Sequence, residues 1–433
     1  MRTMHITLIA GARPNFMKIA PLIKAIKEWK PTSGNVLRTA TGSPIEQSSS
    51  PIKGRENEIE YRLVHTGQHY DKNMSDTFFE ELAIPAPDVN LGCGGGTQAE
   101  QTAAIMVAFE KELMEHPADI VLVVGDVTST MACSIVAKKL NTKVCHVEAG
   151  IRSWDLTMPE EINRMVTDSL ADYMFTTSEV ANRNLVRLGA SLQLLPKGRR
   201  VIAQNPSPIN GEDGKCDNKI HPSLQGGAGV GPKVWFVGNV MIDTLLANRA
   251  RFRKPEVWDE LGLKEQEFIV MTMHRPANVD EENHLRAMME QIIDNVHGLP
   301  VIFPIHPRTA KLFYGLWGDE AELAKRLPNL HIVEPMGYLE FNYLVERAKA
   351  VVTDSGGITE ETTVMGVPCI TLRDNTERPE TCTVGTNELI GTDPAAIKPA
   401  LDKLFAGEWK KGAIPELWDG HTAARIIEIL ADL

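Results

Sequence analysis

Short apolar runs alternate with amphipathic stretches along most of the 433-residue chain. The runs 120–124 and 143–147 have the length of strands, and the stretch 128–140 between them has the apolar spacing of a helix. A strand, a crossover helix and a second strand in this order form one unit of a parallel α/β sheet. The same pattern predicts further strands at 5–9, 61–65, 173–177, 234–237, 268–273, 301–305, 330–333, 350–353 and 369–372.

The chain is too long for one ordinary hydrophobic core, so the alternation predicts two Rossmann-like, doubly wound α/β domains that face a central cleft. Stretches rich in Gly, Pro, Ser and Asn interrupt the pattern twice and cannot bury much apolar surface. The predicted division is a first domain over 1–189 with an insertion at 31–58, a linker at 190–232, a second domain over 233–415, and a C-terminal helix within 416–433 that packs back on the first domain.

Composition narrows the classes of function. The chain is 43% hydrophobic and 24% charged, as expected of a globular protein, and its net charge of -12 argues against general binding of nucleic acid. No apolar stretch has the length of a membrane span or of a signal-peptide core, so we expect a cytoplasmic protein without a membrane partner. The six cysteines form no C-x-x-C motif, and we expect them to be reduced.

Carboxylates follow two neighbouring strands of the predicted sheet. Asp126 comes after the run 120–124 and Glu148 after the run 143–147, so parallel pairing brings both to the edge where such sheets bind ligands. Glu160 stands at a predicted helix start, and three converging acids favour acid/base catalysis. Asp126 could instead cap the following helix, and Glu160 could stabilise its own helix by lying at the positive end of the helix dipole. Glu148 closes an apolar run, so its carboxylate would be buried and would need a partner.

Cations and glycines occupy other strand-to-helix corners. Arg13 and Lys18 flank the start of the first predicted helix, where an anion is already favoured, although both could be ordinary surface charges. In the second domain, the turn Ser355-Gly356-Gly357 opens a helix and allows backbone amides to approach an oxyanion closely.

Further polar side chains follow strands of the second domain. Glu361 lies one turn into the helix after the glycine turn and could accept hydrogen bonds from ribose hydroxyls. His274 and Arg378 come after two other strands, although each could be a simple turn residue or ion-pair partner. Cations on both domains and acids on the first indicate a crevice that holds a diphosphate and carries out proton chemistry.

These segments resemble the non-hydrolysing UDP-N-acetylglucosamine 2-epimerases over nearly the whole chain apart from the two insertions. The eight matching stretches begin at Gly11, Val124, His146, Pro159, Val237, Thr272, Asp354 and Arg373, and the last of them is matched together with Gly385-Thr386. The resemblance implies the two-domain glycosyltransferase B fold, commonly as a homodimer, with no metal and no nicotinamide cofactor. It also implies elimination of UDP to a 2-acetamidoglucal followed by re-addition, in the synthesis of cell-surface polysaccharide precursors.

The resemblance also implies roles for individual residues. Asp126, Glu148 and Glu160 would be the acid/base residues, with His274 a further proton donor, and which acid removes the proton stays open. The residues implied in binding the UDP-sugar are Arg13, Lys18, Arg164, Met336, Phe341, Ser355, Gly356, Gly357, Glu361 and Arg378.

The sequence also allows other substrates and other functions. The substrate could be a UDP-2,3-diacetamido sugar or its uronate, because the Gly-Gln-x-Tyr-Asp pattern at 67–71 also occurs in such relatives. A UDP-sugar glycosyltransferase shares the fold but does not need the cluster of acids, and a hydrolysing epimerase would release UDP without an acceptor. A catalytically silent sugar sensor should have lost at least one of the acids. A nicotinamide-dependent epimerase is disfavoured because the first turn, Gly11-Ala12-Arg13-Pro14, lacks spaced glycines.

Overall fold

The computed structural model describes residues 3–30, 57–68, 81–187, 191–192, 232–305 and 307–433. Most of the predicted insertion at 31–58 and most of the predicted linker at 190–232 lie outside these residues. In the described part of the chain, no helix is both long and apolar enough to cross a membrane. The five cysteines within the described ranges are all unpaired.

Two parallel sheets make up the fold. The strands of the first sheet are β1 Thr3–Ala10, β2 Glu58–His65, β3 Val89–Asn90, β4 Ile120–Val124, β5 Lys143–Val147, β6 Tyr173–Thr176, β7 Ser191–Leu192 and β8 Lys233–Phe236. The strands of the second sheet are β9 Ile269–Thr272, β10 Val301–Pro304, β11 Leu330–Val333, β12 Ala350–Thr353, β13 Cys369–Thr371 and β14 Asn387–Leu389. The strand order is β3-β2-β1-β4-β5-β6-β8-β7 in the first sheet and β11-β10-β9-β12-β13-β14 in the second.

Helices follow most of the strands. In the first half they are α1 Arg13–Glu28, α2 Gln98–Glu115, α3 Thr128–Lys139, α4 Pro159–Leu170 and α5 Glu179–Arg187. The later ones are α6 Val240–Asn248, α7 Glu256–Glu260, α8 Pro276–Val279, α9 Glu282–Asn295, α10 Pro307–Trp317, α11 Glu320–Arg326, α12 Tyr338–Arg347, α13 Gly356–Met365, α14 Pro379–Thr383, α15 Ile397–Phe405 and α16 Thr422–Ala431. The α/β class and the doubly wound order agree with the sequence prediction.

The sheets are buried on both faces, which explains the continuous apolar runs. All five residues of β4 are buried, and alternate side chains enter different cores: Leu122 packs with the α1 side of the sheet and Val123 with the α2 side. The second sheet repeats this arrangement, with Met271 and Val270 of β9 in separate cores. Such strands have no solvent-facing side to produce an alternating pattern, so their sequence reads as an unbroken apolar run.

One predicted boundary needs correction. The strand predicted at 234–237 falls in the predicted second domain, but the observed strand β8 pairs in parallel with β6 and so belongs to the first sheet. A short apolar run records that a strand is buried but not which sheet it joins. The first sheet therefore extends to Phe236, and the chain crosses to the second sheet through α6.

The C-terminal helix α16 packs against the first domain. Ile426, Ile427 and Leu430 are buried in the same core as Ile19 and Leu22 of α1. Asp243 of α6 accepts hydrogen bonds from the first two amides of α16, at 3.1 and 2.7 Å. This carboxylate satisfies backbone donors that a helix start otherwise leaves without partners. The helix is thus attached both to the first core and to the segment that connects the sheets.

Replacement of Ile426 by alanine should destabilise the protein by about 2 to 5 kcal/mol, because the side chain is fully buried and its removal leaves a cavity. Urea denaturation followed by tryptophan fluorescence measures the loss. Ala424→Ser on the exposed face of the same helix is the matched control and should cost about 0.5 kcal/mol. Equal losses in the two variants would contradict the packing of α16 on this core.

Candidate active site

A cavity of about 700 Å³ opens between the carboxyl edges of the two sheets. Asp126 follows β4, His274 follows β9 and Ser355 follows β12, so each sheet contributes residues from its topological switch point. The described residues on its wall are Pro14, Met17, Lys18, Asp126, Arg164, Met241, His274, Arg275, Tyr338, Phe341, Ser355, Gly356, Gly357, Ile358, Glu360, Glu361, Glu377 and Arg378. Both domains therefore supply one shared site.

Asp126 is an ion-pair partner and not a helix cap. Its carboxylate accepts from Nε and Nη2 of Arg164 at 3.0 and 2.5 Å, whereas Val127 occupies the cap position of α3 without a side-chain hydrogen bond. Burial acts to raise the pKa of Asp126, but the charges of Arg164 and Lys18 outweigh it and lower that pKa. A partly exposed, ionised carboxylate on the cavity wall can accept a proton.

Glu148 lies behind the cavity wall with its side chain buried. Lys18 donates to it at 2.5 Å and Nη2 of Arg378 lies 3.3 Å away, while Oε1 has no hydrogen-bond partner among the described residues. Burial acts to raise its pKa, and the charges of Lys18 and Arg378 lower it. Glu148 also has a positive φ of 71°, which is uncommon for a residue with a side chain and recurs at functional positions.

Glu160 is half-buried on the first turn of α4, and it is not among the residues that line the cavity. Its neighbour Glu161 is fully buried and accepts from the amides of Ser153 and Trp154 and from Arg164. Glu161 thereby holds the guanidinium that pairs with Asp126. A catalytic role for Glu160 stays a prediction.

The glycine turn opens α13 with Ser355 at the cap position and no side-chain hydrogen bond to the helix amides. A Cβ added at Gly356 or Gly357 would meet no described protein atom closer than 3.7 Å, because the space beside both residues belongs to the cavity. A helix start with open space beside its first amides is suited to bind an anion. The helix ends at Gly366, whose φ of 74° allows the left-handed cap.

Asp354 organises the neighbouring turn. Its carboxylate accepts from the amides of His274 and Arg275 at 2.9 and 2.8 Å and lies 2.8 Å from Nδ1 of His274. Burial opposes its ionisation, but the contacts with His274 and Arg275 hold the pKa of Asp354 at about 2. The fixed carboxylate orients the His274 ring at the cavity wall.

Two adjacent glutamates of α13 behave differently from the acids of the first domain. Glu360 lies 2.5 Å from Nε of Arg378 and accepts from Asn239 at 2.8 Å, and Glu361 accepts from the Tyr338 hydroxyl at 2.7 Å. Burial raises the pKa of each glutamate to about 7. Glu361 was expected at the site, whereas Glu360 was missed although the Glu-Glu pair is visible in the sequence.

Ion pairs cross the cleft between the domains. Arg378 contacts Glu148 of the first domain and Glu360 of the second, and Nη2 of Arg164 lies 3.7 Å from Glu377. Glu377 also accepts from Arg373 at 2.8 Å; burial acts against its charge, but this contact holds the pKa of Glu377 at about 2. Each of these buried charges has a partner in its own domain, and the ion pairs that cross the cleft add further partners.

The remaining expected binding residues divide into three groups. Phe341 lines the cavity, and Met336 is not among the wall residues but packs against the same apolar cluster as Phe341. Arg13 begins α1, and its side chain lies outside the described part of the structure. The wall residues that sequence reasoning missed are Pro14, Met17, Met241, Arg275, Tyr338, Ile358, Glu360 and Glu377. Arg275 and Glu377 were detectable, because each is adjacent to an expected residue.

Two Rossmann-type sheets that share a cleft at their carboxyl edges define the glycosyltransferase B class of architecture. The sequence profile of the UDP-N-acetylglucosamine 2-epimerase family matches residues 53–199 and 228–431. The chain belongs to this family.

Individual relatives match over almost their full length. A UDP-N-acetylglucosamine 2-epimerase of Methanocaldococcus jannaschii is 34% identical over 99% of both chains. A UDP-2,3-diacetamido-2,3-dideoxy-D-glucuronate 2-epimerase of Pseudomonas aeruginosa is also 34% identical, over 99% of this chain and 100% of its own. The crystal structure of the M. jannaschii enzyme in complex with UDP-GlcNAc and UDP superposes with a TM-score of 0.74, at 33% identity, over 99% of this chain and 100% of the other.

No group of three or more His, Cys, Asp or Glu side chains that could hold a metal ion occurs among the described residues. Three acids on the cavity wall, Asp126, Glu360 and Glu377, are instead paired with arginine. Independence from metals and nicotinamide cofactors stays a prediction.

Asp354→Asn should destabilise the second domain by about 2 kcal/mol at pH 7. The folded pKa lies below the ordinary value of 3.8, so the stabilisation is complete above about pH 4 and is lost as the pH falls through about 2. Urea denaturation at pH 7 and pH 3 measures the difference between variant and parent, which should shrink at the lower pH. Asp402→Asn removes an exposed ion pair with Lys398 and should change stability by less than about 1 kcal/mol. A difference for Asp354→Asn that does not depend on pH would contradict the assignment.

Proposed function

We propose that the protein interconverts UDP-N-acetylglucosamine and UDP-N-acetylmannosamine without releasing free sugar, in the synthesis of cell-surface polysaccharide precursors. The observation that carries this proposal is one cavity with an ionised Asp126 on one side and the Ser355 turn with Arg378 on the other. The first side can exchange a proton and the second can hold a diphosphate. Family membership supports the choice of sugar nucleotide.

The order of bond changes follows from the acidity of the sugar. The hydrogen on carbon 2 is not next to a carbonyl, so a carboxylate cannot remove it directly at a useful rate. As the bond from carbon 1 to the UDP oxygen breaks, positive character at carbon 1 acidifies carbon 2. A base takes the proton, UDP leaves with the electron pair, and a double bond forms between carbons 1 and 2. Re-addition of UDP to carbon 1 and protonation of carbon 2 from the opposite face give the epimer.

Acids of the first domain would remove and return the proton on carbon 2. Asp126 is the cavity-wall acid that the first domain supplies, and it is ionised, whereas Glu148 lies behind Lys18 and Arg378. Two acids at different depths agree with a reaction that removes a proton on one face and returns it on the other. The variants Asp126→Asn, Glu148→Gln and Glu160→Gln decide which acid is the base and whether Glu160 takes part.

The diphosphate would lie at the second domain. Ser355, Gly356 and Gly357 offer a helix start, and Lys18 and Arg378 offer positive charge from opposite sides. His274, oriented by Asp354, could protonate or hydrogen-bond the departing oxygen. Preorganised donors around a developing negative charge are usually the largest catalytic contribution. Because the same donors retain UDP after it leaves, re-addition competes with its loss to solvent.

The nucleoside would lie deeper in the second domain. Glu361 could accept from ribose hydroxyls, with Tyr338 fixing one of its oxygens, and Phe341 offers an apolar surface for the uracil ring. Arg164 and Arg378 would contact the sugar or the phosphates. Met336 is not on the wall and could act through its packing against the apolar cluster that Phe341 also contacts. Arg13 begins the helix that carries Lys18 and would add positive charge near the phosphates.

A UDP-2,3-diacetamido uronate is the second candidate substrate. The P. aeruginosa relative named for that sugar is as similar in sequence as the M. jannaschii enzyme. Arg275 on the cavity wall donates through Nε to the Asp354 carbonyl and lies 4.0 Å from Glu377, so part of its guanidinium remains available to a sugar carboxylate. A neutral sugar would leave this positive charge without such a partner.

We also propose that the chain acts as a cytoplasmic homodimer. Val107 and Met114 on α2 and Ile162 and Met165 on α4 are exposed, and these helices lie on either side of α3. A second copy would cover them. Sedimentation equilibrium should give twice the chain mass, and Val107→Lys/Met165→Lys should shift it toward the monomer. A parent protein that sediments as a monomer would exclude this assembly.

Proton NMR in deuterated water with UDP-N-acetylglucosamine tests the main proposal. We expect UDP-N-acetylmannosamine with deuterium at carbon 2 and only traces of free UDP. Accumulation of UDP with free N-acetylmannosamine would instead identify a hydrolysing epimerase. Exchange seen only with the diacetamido uronate would select the second candidate, and UDP binding without exchange on either sugar would exclude both.

Asp126→Asn should lower the rate of exchange at carbon 2 by at least about 100-fold, because the amide cannot accept the proton. UDP binding, measured by calorimetry, should be nearly unchanged. Asp119→Asn at the amino end of the same strand, where Asp119 accepts from the His5 amide, is the matched control and should retain activity. Glu148→Gln and Glu160→Gln measured beside it assign the base, and full exchange in Asp126→Asn would contradict its proposed role.

A further inference from the structure

The segment that carries Asp126 is held by its backbone. The three successive carbonyl oxygens of residues 124–126 accept hydrogen bonds from Asn15, His146 and Asn163 at 2.9, 2.9 and 2.8 Å. The three donors come from α1, β5 and α4, which are different parts of the first domain. The position of Asp126 is therefore fixed from several directions before any ligand binds.

His146 is the central donor of the three and is fully buried. Its Nε2 lies 2.9 Å from the carbonyl oxygen of Gly125, and its Nδ1 lies 2.6 Å from Oδ1 of Asp168. A carbonyl oxygen can only accept a hydrogen bond, so Nε2 carries a proton. The state of Nδ1 depends on whether Asp168 is ionised.

Asp168 is ionised because two other groups already donate to it. Arg152 lies 2.6 Å from its Oδ2, and the Gly150 amide donates to the same oxygen at 3.0 Å. An ionised carboxylate only accepts, so Nδ1 of His146 also donates. Both ring nitrogens therefore carry protons.

We propose that His146, doubly protonated between Asp168 and the Gly125 carbonyl, is a positioning residue that fixes the Asp126 carboxylate for proton transfer. The inference rests on the proposed epimerisation and adds to it a residue that does not contact the substrate. His146 acts through the backbone, since the Gly125 carbonyl shares a rigid peptide plane with the Cα atom of Asp126.

The geometry explains why rotation of this peptide would matter. Gly125 has a φ of 70°, in the left-handed region that other residues rarely adopt. The far end of Asp126 is fixed separately by the two hydrogen bonds from Arg164. If His146 stopped donating, the Gly125 carbonyl could rotate and the carboxylate would shift against Arg164. A displacement of about 1 Å at a reacting group can lower a rate by about 100-fold.

Substitutions can separate the hydrogen bonding of His146 from the space that its side chain fills. His146→Gln can donate one amide hydrogen to the Gly125 carbonyl, but it then presents an oxygen to the ionised Asp168. Adding Asp168→Asn replaces that repulsion with an amide donor. The double variant H146Q/D168N should therefore recover the hydrogen bond to Gly125 that the single variant strains.

Kinetics of exchange at carbon 2 provide the first test. We expect H146Q to lower kcat by about 10- to 100-fold with a smaller change in KM, and H146Q/D168N to regain most of that loss. Asp172→Asn is the matched control: Asp172 accepts from the Val144 amide at the amino end of the same strand, away from the cleft. A kcat for H146Q equal to that of the parent, or a double variant as impaired as the single one, would overturn the proposal.

Two structural measurements decide the proposal without relying on activity. A neutron structure of the unmodified protein should show deuterium on both ring nitrogens of His146, and deuterium on one nitrogen alone would overturn the inference even if H146Q does not fold. A crystal structure of H146Q should show the Gly125 carbonyl rotated and Asp126 displaced. Absence of carbon 2 exchange in the parent protein would refute the proposed function, whereas an unmoved Gly125 carbonyl in H146Q would refute the role of His146 alone.

Discussion

The alternating charges of Lys18, Glu148, Arg378 and Glu360 are the interaction on which the site depends. Lys18 and Glu148 belong to the first domain, and Arg378 and Glu360 belong to the second. A buried charge needs a partner, because an unpaired ion away from water costs several kcal/mol. The contact of Arg378 with Glu148 joins the Lys18–Glu148 pair of the first domain to the Arg378–Glu360 pair of the second. The cleft therefore exists as a binding site only while the two sheets face each other at this distance. The apolar core of the first domain includes Tyr338 and Leu339 of the second, so apolar packing and these charges together join the two domains.

Much of the fold was predictable because both sheets are parallel and buried on both faces. Such strands are continuous apolar runs, and their carboxyl ends must meet at one edge, so the positions of Asp126, His274 and the Ser355 turn followed from the order of runs alone. The sheet to which β8 belongs did not follow, because pairing with β6 joins residues about 60 positions apart and leaves no local signature. Local periodicity identifies an element, whereas its partner is decided by the packing of the whole domain.

The site was predictable to the level of which segments meet, but not to the level of which side chains touch. Glu160 and Glu161 are adjacent on α4, and the rotation of that helix alone decides that Glu161 is buried against Arg164 while Glu160 is not on the cavity wall. The same holds for Glu360 and Glu361, both buried but with different partners. A sequence can show that two acids stand at a strand end. The partner of a buried acid can come from a distant segment of the chain, and Arg378 is such a partner for Glu148.

The partners also separate the acids by protonation state. Asp126 and Glu148 face cations that outweigh the effect of burial on their pKa values, whereas burial prevails at Glu360 and Glu361 and raises the pKa of each to about 7. Of these four acids, the two on the first domain are ionised and the two on α13 of the second domain titrate near neutral pH, although Asp354 and Glu377 of the second domain are also ionised. An anionic ligand placed beside Arg378 would add negative charge near Glu360 and strengthen its hold on a proton. The cleft can therefore accept a diphosphate without accumulating unpaired negative charge, while Asp126 remains able to accept a proton from the other side.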